Sequence, residues 1–247
     1  MNVKLLLSLL LISIKSYSSE LISIPSEDGI SISADLYMSH SEEAPVIVLF
    51  HQANWSRGEY LEIAPELNLM GYNCLAVDLR SGGAVKGIEN QTKKNALRVM
   101  KPTQYIDALA DMRAAIKYAK EYLTTSEVIV WGSSYSASLA LNLAGSMKEV
   151  DAVLSFSPGE YFTSQGKSND FIATSASSIK VPVFITSARD EKESWWKIYN
   201  GIATETKTYY LPDTVGNHGS RALWSTFSDS SGYWKAVKSF LDTLKSK

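Results

Sequence analysis

The stretch Glu127–Leu143, reading EVIVWGSSYSASLALNL, leaves this chain few ways to fold. Val128, Ile129, Val130 and Trp131 make an unbroken apolar run that stops at Gly132, and small residues at helical spacing begin at once with Ser136, Ala137, Leu139 and Ala140. A strand, a very tight turn and a helix are expected, with Ser134 at the apex. Such a turn forces its apex residue toward positive φ, and the residues two positions to either side must be small because strand and helix nearly touch. Gly132 and Ser136 meet that requirement. The hydroxyl of Ser134 would then stand above the end of a sheet, over the positive end of a helix.

The rest of the chain supplies the sheet. Leu21 to Pro25 and Ile30 to Leu36 alternate in polarity around Asp28-Gly29, which reads as an antiparallel hairpin with one exposed face. Pro45 opens PVIVLFH, and NCLAVDLR covers Asn73 to Arg80; both are apolar runs suited to strands buried on both faces. A helix is expected over Tyr60 to Met70, closed by Gly71, and a clearer one over Thr103 to Tyr122, with Ile106, Leu109, Met112, Ile116 and Ala119 on one stripe. Further strands are expected at Val150 to Phe156, Val181 to Ser187 and Thr206 to Leu211, and a last helix at Tyr233 to Leu244. Ser81 to Pro102 reads as a long polar connection, and Glu160 to Ser178 as an irregular crossover or small lid. The pattern implies an α/β fold: one domain with a mostly parallel central sheet, an N-terminal antiparallel hairpin and helices on both faces.

With 247 residues and 45% apolar content the chain can bury a sizeable core, and 24 basic residues against 26 acidic ones give nothing that would attract nucleic acid. Lys4 precedes the apolar run Leu5 to Ile14, which is followed by small polar residues. This reads as a signal peptide over residues 1–18, cleaved after Ser18, ahead of a domain at 19–247 and a secreted or periplasmic destination. The run is too short to span a bilayer, which takes about 20 residues, so no stable membrane insertion is expected after cleavage. The single cysteine, Cys74, lies within an apolar run and reads as a buried strand thiol. No His, Cys and carboxylate spacing suggests a metal site, and no phosphate-binding glycine loop precedes a helix. Asn54-Trp55-Ser56 and Asn90-Gln91-Thr92 fit the glycosylation pattern.

A serine hydroxyl becomes a nucleophile only when a base takes its proton, and the base needs an acid to fix its tautomer. Three histidines are available. His40 lies in a polar linker, and His51 ends the first buried strand, where it is expected to order the following loop. His218, in Gly216-Asn217-His218-Gly219-Ser220 after the last strand, stands where a base reaching over the sheet edge should come from. The acid is expected after the strand VPVFITS. Asp190 is taken in preference to the adjacent Glu191, which could simply start a helix. Ser133, next to Ser134, stays open as the apex residue on sequence alone.

From Leu21 to the last helix the chain resembles the α/β-hydrolase fold, in particular its small dienelactone-hydrolase-like and esterase-like members. The elbow motif G-x-S-x-G reads here Gly132-Ser133-Ser134-Tyr135-Ser136, with serine at the final glycine. The resemblance implies an oxyanion hole donated by the amides of Tyr135 and Ala53, with Gln52 as the alternative second donor in His51-Gln52-Ala53. It implies a serine hydrolase that cleaves small-molecule carboxylic esters through an acyl-enzyme, using Ser134, His218 and Asp190 and no cofactor. Dienelactone hydrolases proper use a cysteine nucleophile, which this elbow does not carry. Peptidase or thioesterase action on the same triad, and a non-catalytic binding protein that keeps the fold, are the competing readings. Oligomeric state is not legible.

Overall fold

The computed structural model describes residues 19–245, so the leader expected over residues 1–18 lies outside the described residues. Glu20–Pro25 (β1) and Ser31–Tyr37 (β2) form the expected hairpin, turned by Gly29 at φ 87°. Val46–Phe50 (β3), a 3-10 turn at Arg57–Tyr60, helix Ile63–Leu69 (α1) and Asn73–Val77 (β4) follow. The stretch read as one polar connection is more ordered than its composition suggests. It holds the short ribbon Ala84–Val85 (β5) and Ile88–Glu89 (β6), then helix Gln91–Arg98 (α2). Asn90 caps α2 by accepting the Lys93 N–H at 2.8 Å, and its amide is buried against the Leu79 carbonyl at 2.9 Å. That side chain is spent within the fold, away from any glycan.

The remaining elements are Ala108–Tyr118 (α3), Val128–Ser133 (β7), Tyr135–Ala144 (α4), Ala152–Phe156 (β8), Phe171–Ala176 (α5), Val183–Thr186 (β9), Lys192–Gly201 (α6), Lys207–Tyr210 (β10) and Ser230–Leu244 (α7). The sheet runs β1-β2-β4-β3-β7-β8-β9-β10. It is parallel from β4 to β10 and antiparallel only where β2 meets β1 and β4. Alternation along β3 divides the core: Val46, Val48 and Phe50 face the side covered by α3 and α4, whereas Ile47 and Leu49 face α1 and α7. Both faces are therefore dry, as a parallel sheet requires.

Two local departures follow from packing. The segment Glu160 to Ser178 is part of this layered body. Glu160 accepts the amides of Ile172 and Ala173 at the start of α5, whose Ile172 and Ala176 are fully buried. Asp111 of α3, a charged residue, is buried because Arg80, three residues past β4, binds it through Nη2 at 2.7 Å and holds Asp28 of the hairpin turn with Nη1 at 2.6 Å. Cys74 is buried in β4, and burial pushes its thiol pKa up.

Candidate active site

Ser134 occupies the sharp turn between β7 and α4 at φ 60° and ψ −124°, a conformation costing on the order of 1–3 kcal/mol for a residue with a side chain. The surroundings enforce it. The Ser134 N–H donates to the Phe156 carbonyl at 2.7 Å, and α4 starts at the next residue. A Cβ on Gly132 would lie 2.4 Å from the Ser136 carbonyl oxygen, so only glycine fits there. Ser136, at the motif's other small position, has a structural use for its hydroxyl. It accepts the Ser133 N–H at 2.9 Å and shares its hydrogen between the carbonyls of Phe50 at 2.8 Å and Ser133 at 2.9 Å. Ser133 is fully buried with its hydroxyl donated to Glu59, which leaves Ser134 as the apex.

His218 is presented by the loop after β10, between Gly216 and Gly219 at φ 75° and 73°. Its Nε2 lies 2.8 Å from Ser134 Oγ, and its Nδ1 lies 2.5 Å from Glu191 Oε1. Burial raises the Glu191 carboxyl pKa, but hydrogen bonds from His218 and Ser157 outweigh it and hold the group below its ordinary value. An ionised carboxylate only accepts, so Nδ1 carries the proton and the Nε2 lone pair faces the serine hydroxyl. Glu191 Oε2 is held by the Ser157 hydroxyl at 2.6 Å and the Ala188 N–H at 3.2 Å. Ser157 Oγ also accepts the Gly219 N–H at 2.9 Å, so one hydroxyl braces both the acid and the histidine loop.

Asp190 does not join this chain; it is exposed. The reason is the 3-10 turn Arg189–Glu191, in which successive side chains diverge by about 120°, so that only one of two adjacent carboxylates can face the histidine. Of the two amides expected as the second oxyanion donor, Ala53 with Gln52 as the alternative, the structure occupies that of Gln52. The Gln52 N–H is spent on Glu59 Oε2 at 2.8 Å, while among the described residues the N–H groups of Ala53 and Tyr135 make no hydrogen bond. His51 fixes that loop from beneath. Its Nδ1 donates to the Gln52 carbonyl at 2.8 Å and its Nε2 accepts the Leu79 N–H at 2.8 Å; burial lowers its pKa to about 4, so it is neutral.

The aromatic residues near the elbow differ in where they sit. Phe162 and Trp195 are core, and Tyr135 is buried with its hydroxyl on Ser81. Tyr161 approaches the elbow from outside it: its hydroxyl donates to the Ser157 carbonyl at 2.8 Å beside Ser134, and burial pushes its pKa up to about 12.

A sequence model of the dienelactone hydrolase family matches residues 32–210. The chain belongs to the dienelactone hydrolase family. Among curated proteins it is 30% identical over 138 residues to the quorum-quenching protein AidA of Acinetobacter baumannii, a match covering 53% of this chain and 41% of that protein. The chain thus spans about two fifths of AidA's length.

Among solved structures the Pyrococcus furiosus esterase Pf2001 superposes with a TM-score of 0.71 at 21% identity, over 92% of this chain and 93% of that one. A dienelactone hydrolase from Anabaena variabilis gives 0.70 at 13% identity, over 92% and 97%. Est1E from Butyrivibrio proteoclasticus, solved with ferulic acid, gives 0.69 at 14%, over 92% and 100%. These likenesses establish the α/β-hydrolase fold. Within this dienelactone hydrolase family member, sequence reasoning did not single out Glu59 or Ser157, and it weighed Glu191 but preferred Asp190. The one available signal was a second carboxylate beside Asp190.

Proposed function

We propose that this chain is a serine hydrolase acting on carboxylic esters. The observation that carries the reading is the unbroken hydrogen-bond chain from Ser134 Oγ through His218 to the Glu191 carboxylate. Ser134 Oγ attacks the ester carbonyl carbon as its proton passes to His218 Nε2. Glu191 holds the imidazole in the accepting tautomer and stabilises the cation that forms. The developing oxyanion takes hydrogen bonds from the Ala53 and Tyr135 N–H groups, each such donor being worth about 3 kcal/mol at the transition state. Collapse expels the alcohol, which takes the proton from His218. Water, deprotonated by the same nitrogen, then releases the acid and restores Ser134. Export, proposed on the apolar run Leu5 to Ile14, would place this activity outside the cytoplasm.

A fluorophosphonate probe, together with chromogenic esters, thioesters and aminoacyl amides, tests the reading. Wild type should be labelled at Ser134 and should turn over esters fastest, and Ser134→Ala should do neither. An unlabelled wild type would overturn the mechanism. Faster turnover of thioesters or amides would keep the triad and replace the substrate class.

A further inference from the structure

A second carboxylate lies beneath the elbow, outside the chain from Ser134 to Glu191. Glu59 sits in the 3-10 turn Arg57–Tyr60 and has no exposed surface. A buried carboxylate is costly unless its lone pairs are filled, and here the donors come from separate parts of the site. Oε2 accepts the Gln52 N–H at 2.8 Å, in the loop whose next residue is Ala53. Oε1 accepts the Ser133 hydroxyl at 2.7 Å, immediately before the nucleophile. Ser133 Oγ accepts in turn the Ser220 N–H at 2.9 Å, two residues past His218. Gly219 packs so tightly on this hydroxyl that a Cβ there would stand 2.5 Å from it.

The backbone of the turn is anchored without the carboxylate. Trp224 Nε1 donates to the Glu59 carbonyl at 2.9 Å, the Tyr60 hydroxyl to the Phe50 carbonyl at 2.6 Å, and the Arg57 N–H to Asp78 at 2.8 Å. The side chain is therefore free to serve the loops around it. We propose that Glu59 is a positioning residue for acyl transfer, whose carboxylate holds the oxyanion-donor loop, the nucleophile elbow and the histidine loop in one fixed arrangement. The inference rests on the hydrolase reading above.

The chemistry asks for a carboxylate at this point. Gln52 N–H and Ser133 O–H both donate, so the partner between them must accept on both sides. Glutamine offers one oxygen and one NH₂, and its NH₂ would face a donor. Because reacting atoms must align closely, a displacement of about 1 Å can cost on the order of 10²-fold in rate.

The test compares wild type with Glu59→Gln, Ser133→Ala and the double variant. Melting temperature is measured for each, and kcat and KM on a chromogenic ester are normalised to active sites titrated with the fluorophosphonate. Glu59→Gln is expected to lower kcat per active site about 10- to 100-fold with KM nearly unchanged, and to slow labelling of Ser134 in parallel. Ser133→Ala should lose less, and the double variant no more than Glu59→Gln alone, because the two groups act as one unit. A merely structural role would lower the melting temperature and the titratable fraction while leaving kcat per site intact. That result, or kcat per site within about twofold of wild type in Glu59→Gln, overturns the proposal. If Glu59→Gln does not fold, Ser133→Ala decides by the same criterion. A wild type that hydrolyses no ester counts against the hydrolase reading, and this inference falls with it.

Discussion

His218 Nδ1 meets Glu191 Oε1 at 2.5 Å, while Asp190, one residue earlier in the same turn, faces solvent. Two adjacent carboxylates therefore have opposite expected weights in the reaction. Glu191→Gln puts an NH₂ donor against Nδ1, which drives the imidazole proton to Nε2 and removes the lone pair that Ser134 needs. Its kcat should fall on the order of 10³- to 10⁴-fold. Asp190→Asn, at the surface, should stay within about twofold of wild type. Steady-state rates on a chromogenic ester decide the matter, and similar losses in both variants would contradict the assignment.

The closeness of β7 and α4 gives an expectation for stability. A methyl on Gly132 would lie 2.4 Å from the Ser136 carbonyl oxygen and 2.5 Å from Ala137 Cα, both backbone atoms with no rotamer to escape into. Gly132→Ala should destabilise the protein by about 3 kcal/mol or more, at or beyond the upper end of ordinary overpacking. Ser136→Gly should cost about 1–2 kcal/mol, because it removes a buried hydroxyl that satisfies the Ser133 amide and the Phe50 carbonyl. Urea unfolding midpoints measure both. An unshifted midpoint in Gly132→Ala would refute the tight-turn argument.

Burial pushes the Glu59 carboxyl up from 4.5 to about 7, against the opposing pull of hydrogen bonds from Ser133 and Gln52 and of His218. The titratable groups facing it are Tyr60, Tyr135 and His218. Between about pH 4.5 and 7 the unfolded chain has lost this proton and the folded one keeps it, so the contribution to stability falls as pH rises, by about 3 kcal/mol across the window, and the carboxylate form that accepts from both Gln52 and Ser133 prevails above about pH 7. Below that window the contribution is fully present; above it no further change arises from this group. Glu191, held low, behaves oppositely, but it is common to both proteins and cancels when wild type is compared with Glu59→Gln. The wild-type advantage in unfolding free energy should therefore shrink from pH 5 to pH 7 and then level off. An advantage that grows over that range would have the wrong sign.

The sheet was readable because its strands are unbroken apolar runs, and the seat of Ser134 because small residues at 132 and 136 permit only one kind of turn. His218 emerged by elimination from three histidines. What stayed hidden depends on phase or on tertiary contact. A single 3-10 turn has no periodicity from which to tell Asp190 from Glu191. Helix α2 was missed because only Thr92 and Ala96 of its eight residues are buried, leaving no apolar stripe to detect. Glu59 reads as one charge in a polar loop; its burial is created by Gln52, Ser133 and Trp224 arriving from elsewhere in the chain.

Cys74 is the chain's only cysteine, and it is sealed in β4 with its sulfur 3.9 Å from the Ala64 carbonyl. The native protein therefore offers no thiol to solvent. A cysteine introduced at an exposed position such as Tyr122 would be the sole target for a maleimide dye or spin label, with no need for a cysteine-free background. The same seal simplifies covalent inhibition. Electrophiles that attack thiols and activated hydroxyls alike meet no accessible thiol here, so loss of activity on treatment with them does not arise from cysteine modification.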